Sequence, residues 1–445
     1  MDLGSGAAFS ELKRTGFPDV RRDWVDNHWA LILWKLAGMA AMDPKRERDP
    51  ETKRFCWDEA MRQLRARYER EIRGTSRPPL RLITTQDAPP SCPMVLCVTG
   101  IIWPEGEEGN GIPELEITDG WYRLKAQIDE PLARAIKKGT IKIGRKIAVT
   151  GCRLEVMGKG PADILDAYDS ILLKIYGNSS HLAPWHAKLG FQADPYVSSL
   201  RSLTPDGGMV AVIDVIVDKV YPIAFMEFVE DEQGNRITEG PRTEADEQVM
   251  FEQWKARRGM EADKLRAEFQ KSIQKWEVWL ERLGGESRID LREPPPERLE
   301  DLMVELEDLP QNTSLLRNLS PMDSVWLAQL INAKLAKDRQ SFYDSMEREL
   351  DFVCPPRDTR NFRVVMVKDA QSVKYPATRT SQVTIWDVLS FQFDEASSPG
   401  HFAAGERFMM TNLLPTHKGS WGRHTEPESQ IYLATRRDTR IRKLS

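Results

Sequence analysis

The sequence predicts an α+β multidomain protein: an N-terminal helical domain, then two small β-barrels, the second interrupted by a long antiparallel helical arm. Three observations predict it. Apolar residues recur at helical spacing through roughly the first 80 residues. From about residue 93 the period becomes that of strands, in an order that starts again near residue 209. A strongly acidic stretch of helical period, 228–353, follows the first strand of that second set. A chain of 445 residues has room for about three domains. The expected boundaries are 1–80 for the helical domain, 81–204 for the first barrel, 205–227 with 354–445 for the second, and 228–353 for the arm.

Pro18 suits the first turn of a helix over 18–42. Val25, Trp29, Ile32, Leu36 and Met39 form one stripe on it, while Trp24, Leu31 and Trp34 lie off that stripe. A helix apolar on two sides must be covered on two sides. A second helix is expected from Asp49-Pro50 to about Arg73, with Met61, Leu64, Tyr68 and Ile72 as its stripe; the run from Gly74 to Pro79 then breaks the pattern. Strands follow at 94–102, 115–118 and 121–128, the last two flanking an Asp119-Gly120 hairpin signal. A short helix at 130–138 and strands at 141–154 and 171–176 complete the set. Strand, strand, strand, helix, strand, strand is the order of the five-stranded oligonucleotide/oligosaccharide-binding (OB) barrel.

The second set opens with a strand at 209–221 and resumes with 362–367, 383–388, 405–411 and 430–435. Gly144-Arg-Lys-Ile-Ala-Val149 is echoed by Gly405-Glu-Arg-Phe-Met-Met410. In the acidic stretch, 244–283 and 322–352 read as two helices. A strand must leave and return to one barrel, so these pair antiparallel as a protruding arm. The net charge of −5 is unevenly spread: +3 over 1–80, −3 over 81–227, −10 over 228–353 and +5 over 354–445. A basic segment in an acidic chain points to a localised polyanion site.

No apolar run is long enough to span a bilayer, and the N-terminus has no signal-peptide pattern, so an intracellular, nuclear protein is expected. Cys56, Cys92, Cys97, Cys152 and Cys354 are scattered, form no Cys-x-x-Cys pair, and suit reduced thiols rather than a metal site. There is no phosphate loop, dinucleotide fingerprint, Gly-x-Ser-x-Gly elbow or His-x-x-x-His pair. Neither enzyme activity nor a cofactor is expected.

Binding of single-stranded nucleic acid needs cations for the phosphates and ring faces for the bases. The last 90 or so residues supply both. The expected DNA contacts are Lys374, Tyr375, Arg379, Trp386, Lys418, Trp421, Arg423, Arg436 and Arg437. Trp386 lies in an alternating strand, where barrel core is an equal reading. Trp421 lies in a Gly/Arg loop with little structural reason to be there, and is assigned to function. The two-sided first helix admits either core against the first barrel or a groove for an acidic partner, which the basic balance of that segment would suit.

At this point a family resemblance enters. Trp24-Val-x-Asn27-His28-x-x-x-Ile32-x-Trp34, with Leu64-x-x-Arg67-Tyr68-x-x-Glu71-Ile72, resembles the helical domain of the breast cancer type 2 susceptibility protein family. Leu115-x-Ile-Thr-Asp-Gly-Trp-Tyr122, Leu172-x-Lys174-Ile175-x-x-Asn178-Ser179, Trp185-x-x-Lys-Leu-Gly-Phe191, Asp206-Gly-Gly208 and Tyr221-Pro-Ile223 continue the match in order. It is dense over 20–227 and looser over 360–437, as in a distant member, with a fungal source expected. The resemblance implies two OB domains with a helical tower inserted in the second. It implies single-stranded DNA binding by a recombination mediator in homologous-recombination repair of double-strand breaks. It also implies docking of a small acidic protein shared with the proteasome lid, the deleted in split hand/foot protein. Trp24, Trp29, Trp34, Arg67, Tyr68 and Trp121 are the expected contacts with that partner. The RecA-type recombinase would be engaged through regions absent from this chain, because Phe402-Ala-Ala-Gly405 is not the family's Phe-x-x-Ala repeat. The family's third OB domain is likewise expected to be missing, and the arm shows no basic three-helix tip. The alternative is a scaffold whose barrels mainly bind the acidic partner, with weak DNA binding.

Overall fold

The computed structural model describes residues 3–104, 111–157, 160–231, 233–283, 297–308, 319–370, 379–393, 398–422 and 429–444. The chain divides into two compact units, residues 1–223 with 361–445, and residues 224–360. Among the described residues no helix is long and apolar enough to cross a membrane.

The first unit opens with helices α1 (Ser5–Arg14), α2 (Arg22–Met42), α3 (Trp57–Tyr68), extended by one π-turn to Arg73, and α4 (Pro79–Thr84). The expected second helix thus begins at Trp57 rather than near Asp49. Helix α2 is buried on both sides: Val25, Trp29, Ile32 and Leu36 on one, Trp24, His28 and Leu31 on the other. Trp29 packs on Trp57 with ring centroids 5.1 Å apart, and His28 meets the Tyr122 ring at 5.0 Å. Helices and first barrel therefore share one continuous core.

That barrel consists of β1 (Met94–Ile102), β2 (Glu114–Thr118), β3 (Arg123–Ile128), helix α5 (Glu130–Lys137), β4 (Lys146–Val149), β5 (Arg153–Val156) and β6 (Ile171–Ile175), with the short β7 (Ser180–Leu182) added beside β4 and β8 (Gly190–Phe191) paired with the start of β1. The single strand expected over 141–154 is two, because the chain turns at Gly151, whose φ is +67°. Strand β4 pairs with β1 and β5 pairs with β6, so this bent pair joins the two ends of the sheet. Strand β6 lies parallel to β3. The Asp119-Gly120 turn is a four-residue loop, not two. The buried Asp119 carboxylate accepts the amides of Trp121 (2.8 Å), Tyr122 (2.9 Å) and Leu80 (3.0 Å), which fixes the loop and the start of α4 together.

The second barrel repeats the circuit. Its strands are β9 (Val210–Glu230), β11 (Asp358–Asp369), β12 (Arg379–Trp386), β13 (Arg407–Pro415) and β14 (Ser429–Ala434); β10 (Arg236–Arg242) and β15 (Ile441–Leu444) are additions. The sheet runs β9-β11-β12-β14-β13 and closes by pairing β13 with β9, again with one parallel pair, β12 with β14. The echoed glycines do the same work in both barrels. Gly144 (φ +86°) donates its N–H to the Val98 carbonyl, and Gly405 (φ +88°) donates to that of Val217, each at 2.8 Å. Only glycine reaches this left-handed region without strain. Where α5 plugs the first barrel, Phe393, Phe402 and Phe408 stack edge-to-face or tilted in the second.

The segment between the barrels is fastened to both. Asn178, buried in the first barrel, donates to the carbonyls of Thr204 and Gly208 and accepts the Thr204 amide, at 2.8–2.9 Å. Gly207 leaves no room for a side chain, since a Cβ would stand 2.5 Å from Asn178 Oδ1. On the other side Leu200 and Leu203 join the second core, and Asp369 accepts the Leu200 amide at 2.9 Å.

The second unit holds the last residues of β9, the strand β10 paired with them, α6 (Glu244–Arg282), α7 (Glu297–Asp308) and α8 (Pro321–Val353). Thr243 and Ser320 open α6 and α8 with reciprocal capping boxes to Asp246 and Asp323. At 39 residues α6 is roughly 58 Å long. It runs antiparallel to α8: Arg258 bonds Asp351, Phe269 stacks on Phe342 at 3.8 Å, and Glu277 pairs with Arg339. Ile273, Trp276, Trp279, Leu306, Leu327 and Ile331 form the distal core, which α7 completes. This third helix was not expected. Its sequence sets six carboxylates against one arginine. At the base, Glu227 takes both Arg242 and Arg357, and Arg357 reaches on to Glu247 at 2.8 Å. The Arg357 bonds hold the Glu227 carboxyl down to about 2 despite its burial.

Candidate nucleic-acid interface

Alternation along the strands of the second barrel sorts its side chains cleanly. In β12, Arg379, Ser381, Val383 and Ile385 point inward and Thr380, Gln382, Thr384 and Trp386 outward. Register then builds an outer ladder across three strands: Phe362 beside Trp386, Val364 beside Thr384, and Met366 beside Gln382, itself beside Tyr432. Phe362 and Trp386 touch with ring centroids 5.0 Å apart, and the Tyr221 hydroxyl reaches Met366 Sδ at 3.8 Å. All these residues are half-buried. They form a strip of partly exposed rings and a thioether. Cations border it: Lys219 lies over the Tyr221 ring at 4.6 Å, and Lys418 and Arg437 are exposed.

The same surface of the first barrel is closed by its own charges. Glu116 accepts from Thr99 (2.8 Å) and Tyr168 (2.6 Å) and lies 3.6 Å from Arg123; Lys125 pairs with Asp169 and Lys174 with Glu155.

The structure redistributes the expected DNA contacts. Trp386, Lys418, Arg436 and Arg437 lie on the surface of the second barrel, Arg436 tied to Asp438 at 3.1 Å. Lys374, Tyr375 and Arg423 lie outside the described residues. Arg379 is corrected: it is buried, donating to the carbonyls of Leu200 (3.2 Å), Leu203 (2.9 Å) and Gly422 (2.9 Å). It is a clip for the interbarrel segment, and its burial keeps the guanidinium from reaching a phosphate. Trp421 has the structural reason the sequence did not reveal. Its indole N–H donates to the Thr416 carbonyl at 2.8 Å, its ring packs on the second core, and the Arg379 guanidinium lies 5.7 Å from the ring centre.

The partner residues are corrected more broadly. Trp24, Trp29 and Tyr68 are buried and offer a partner no surface. Arg67 donates to His28 Nδ1 at 2.9 Å and lies over the half-buried Trp121 ring. Burial lowers its pKa to about 10, which leaves it charged at neutral pH. Of the six, Trp34 alone is exposed, at 42%. The buried group at this junction centres on Glu71, a residue of the matched motif with no role expected of it. It accepts from Trp24 Nε1 (3.0 Å), Tyr122 (2.5 Å) and Arg81 (2.7 Å), and stands 3.4 Å from His28 Nε2. Burial opposes its charge, but these donors together hold the carboxyl down to about 2. Burial holds His28 down to about 4, so it is neutral, with Nδ1 accepting from Arg67. All five cysteines are free thiols, and among the described residues no group of three metal-binding side chains occurs.

Comparison with known proteins agrees with this architecture. Residues 78–193 match the family model described as BRCA2, oligonucleotide/oligosaccharide-binding, domain 1. The chain is 25% identical over 420 residues to Protein BREAST CANCER SUSCEPTIBILITY 2 homolog A of Arabidopsis thaliana, covering 90% of this chain and 34% of that protein. Residues 78–193 carry a domain of the BRCA2 family. Homolog B of the same plant is 30% identical over 220 residues, 46% of this chain and 18% of the relative. The chain spans about a third or less of these relatives' length. Its matched OB domain is the barrel whose outer face is closed by ion pairs.

Proposed function

We propose that this chain is the single-stranded DNA-binding region of a recombination mediator, acting in the nucleus in homologous-recombination repair of DNA breaks. It works as a binding module rather than an enzyme. In this reading the second barrel is a second OB fold, and the helical arm inserted in it is the family's tower. Support comes chiefly from the outer ladder of the second barrel, where Phe362, Trp386, Met366 and Tyr432 remain half open beside unpaired cations. Bases stack on such faces without sequence preference. The acidic third helix of the arm argues against duplex binding there.

The test is binding of a fluorescent oligo-dT to the full chain across a range of salt. Affinity should fall steeply as salt rises. Trp386→Ala should weaken binding by about 1–3 kcal/mol with unchanged thermal stability. A salt-independent wild-type affinity, or an unaltered variant, would reject the platform.

A second reading, a scaffold that docks the small acidic partner and binds DNA weakly, is favoured by the exposed Trp34, Phe55 and Ile72 of the helical segment. Co-expression with that partner and a gel shift with and without it separates the two. Trp34→Ala should lower capture of the partner and leave dT binding intact.

A further inference from the structure

The DNA-binding reading leaves unused the strongest unpaired positive charge on the second barrel, along its edge strand β15. Arg440 immediately precedes this strand, and its backbone bonds Thr411 in both directions. Ile441 turns inward onto the second core, while Arg440 and Arg442, on either side of it, are exposed. Strand alternation therefore puts the two guanidiniums on one face, roughly 7 Å apart. Arg437, in the turn ahead, is exposed as well. Among the described residues none of these three meets a carboxylate. Nearby cations behave otherwise: Arg407 pairs with Asp214, Lys443 with Glu406 and Arg436 with Asp438. Three unpaired arginines in sequence amid neutralised neighbours mark a surface that fits a polyanion.

The row is continuous with the ring ladder. The Trp386 amide donates to Thr435 Oγ1 at 2.8 Å, so the ladder ends beside the turn that carries Arg437. We infer that a single strand leaving the rings at Trp386 continues over the barrel edge, its phosphates held by Arg437, Arg440 and Arg442. The inference rests on the DNA-binding reading and extends its site from Arg437 to Arg440 and Arg442, which the sequence did not single out. Phosphates repeat along an extended strand on a scale similar to the spacing of Arg440 and Arg442, and guanidinium is the side chain best matched to them.

The experiment compares the full chain with the double variant R440Q/R442Q, using a long dT oligomer, a dT oligomer too short to pass Trp386, and poly-glutamate. Both positions are exposed, so thermal unfolding should be unchanged, and R440K/R442K should keep the wild-type salt response. Losing two phosphate contacts should lower the slope of log affinity against log salt by about 1.4 for the long oligomer. The short oligomer should bind both proteins alike. An unchanged slope with the wild type binding normally overturns the extension alone. Loss confined to poly-glutamate also overturns it, assigning the edge to an acidic protein. Failure of the wild type to bind either oligomer overturns the DNA-binding reading and the extension with it.

Discussion

Mild acid should loosen the helical segment from the first barrel, and His28 sets the pH at which this begins. The ring is fully buried between Arg67, Glu71 and the Tyr122 ring, and burial lowers its pKa from 6.5 to about 4. Between those values the unfolded chain takes up a proton that the folded chain refuses. Stability is therefore complete above pH 6.5 and is lost as pH falls toward 4. The gap is worth about 3 kcal/mol. Glu71, held at about 2 against an ordinary 4.5, acts in the same direction but only below pH 4.5. The interval between 6.5 and 4.5 thus reports on His28. His28→Gln keeps an acceptor for Arg67 and a donor toward Glu71 but cannot titrate. Urea unfolding followed by tryptophan fluorescence, at about pH 7 and about pH 4.5, should show the wild type losing about 2–3 kcal/mol more than the variant. His181, also lowered by burial, is present in both and cancels. Equal losses in the two proteins would refute the argument.

Trp421→Ala should behave unlike Trp386→Ala: it removes a ring from the second core and should cost about 3 kcal/mol in thermal unfolding, with any loss of DNA binding following the loss of fold. Arg379→Met leaves the carbonyls of Leu200, Leu203 and Gly422 without their donor, at about 1–3 kcal/mol for each one left unsatisfied. Limited proteolysis should then cut within 198–209, where the wild type resists. Glu227→Gln removes the carboxylate that Arg242 and Arg357 share and leaves them only Glu239 and Glu247; a loss of about 2 kcal/mol should appear as faster hydrogen exchange in β10 and the first turns of α6.

Much of the architecture was legible because it rests on local periodicity. The two-sided stripe of α2 meant two packing partners, and both are present. The Gly144 and Gly405 echo marked a backbone conformation that each barrel requires at one point of its circuit. Other features depend on distant groups. Arg379 occupies an inward position in an alternating strand, which normally excludes a guanidinium. Carbonyls nearly 180 residues earlier in the chain satisfy it, and nothing near position 379 announces them. Asp119-Gly120 resembled a two-residue turn, but the carboxylate captures amides at 121 and 122 and enlarges it. The tryptophans of the helical segment looked alike in sequence; burial separates Trp24 and Trp29 from Trp34. Helix α4 was missed because Pro78-Pro79 read as a break, whereas Pro79 is its first residue.

The segment over 198–209 has a mechanical consequence. Asn178 grips it from one barrel, and Arg379 with Asp369 from the other, and Gly207 lets it lie flush. These bonds oppose hinging of the barrels about the segment. Tension on a polymer seated on the second barrel would reach the first barrel, and the helices sharing its core, undamped. A pair of dyes placed across the two barrels should report a fixed separation whatever the load, until the clip itself tears.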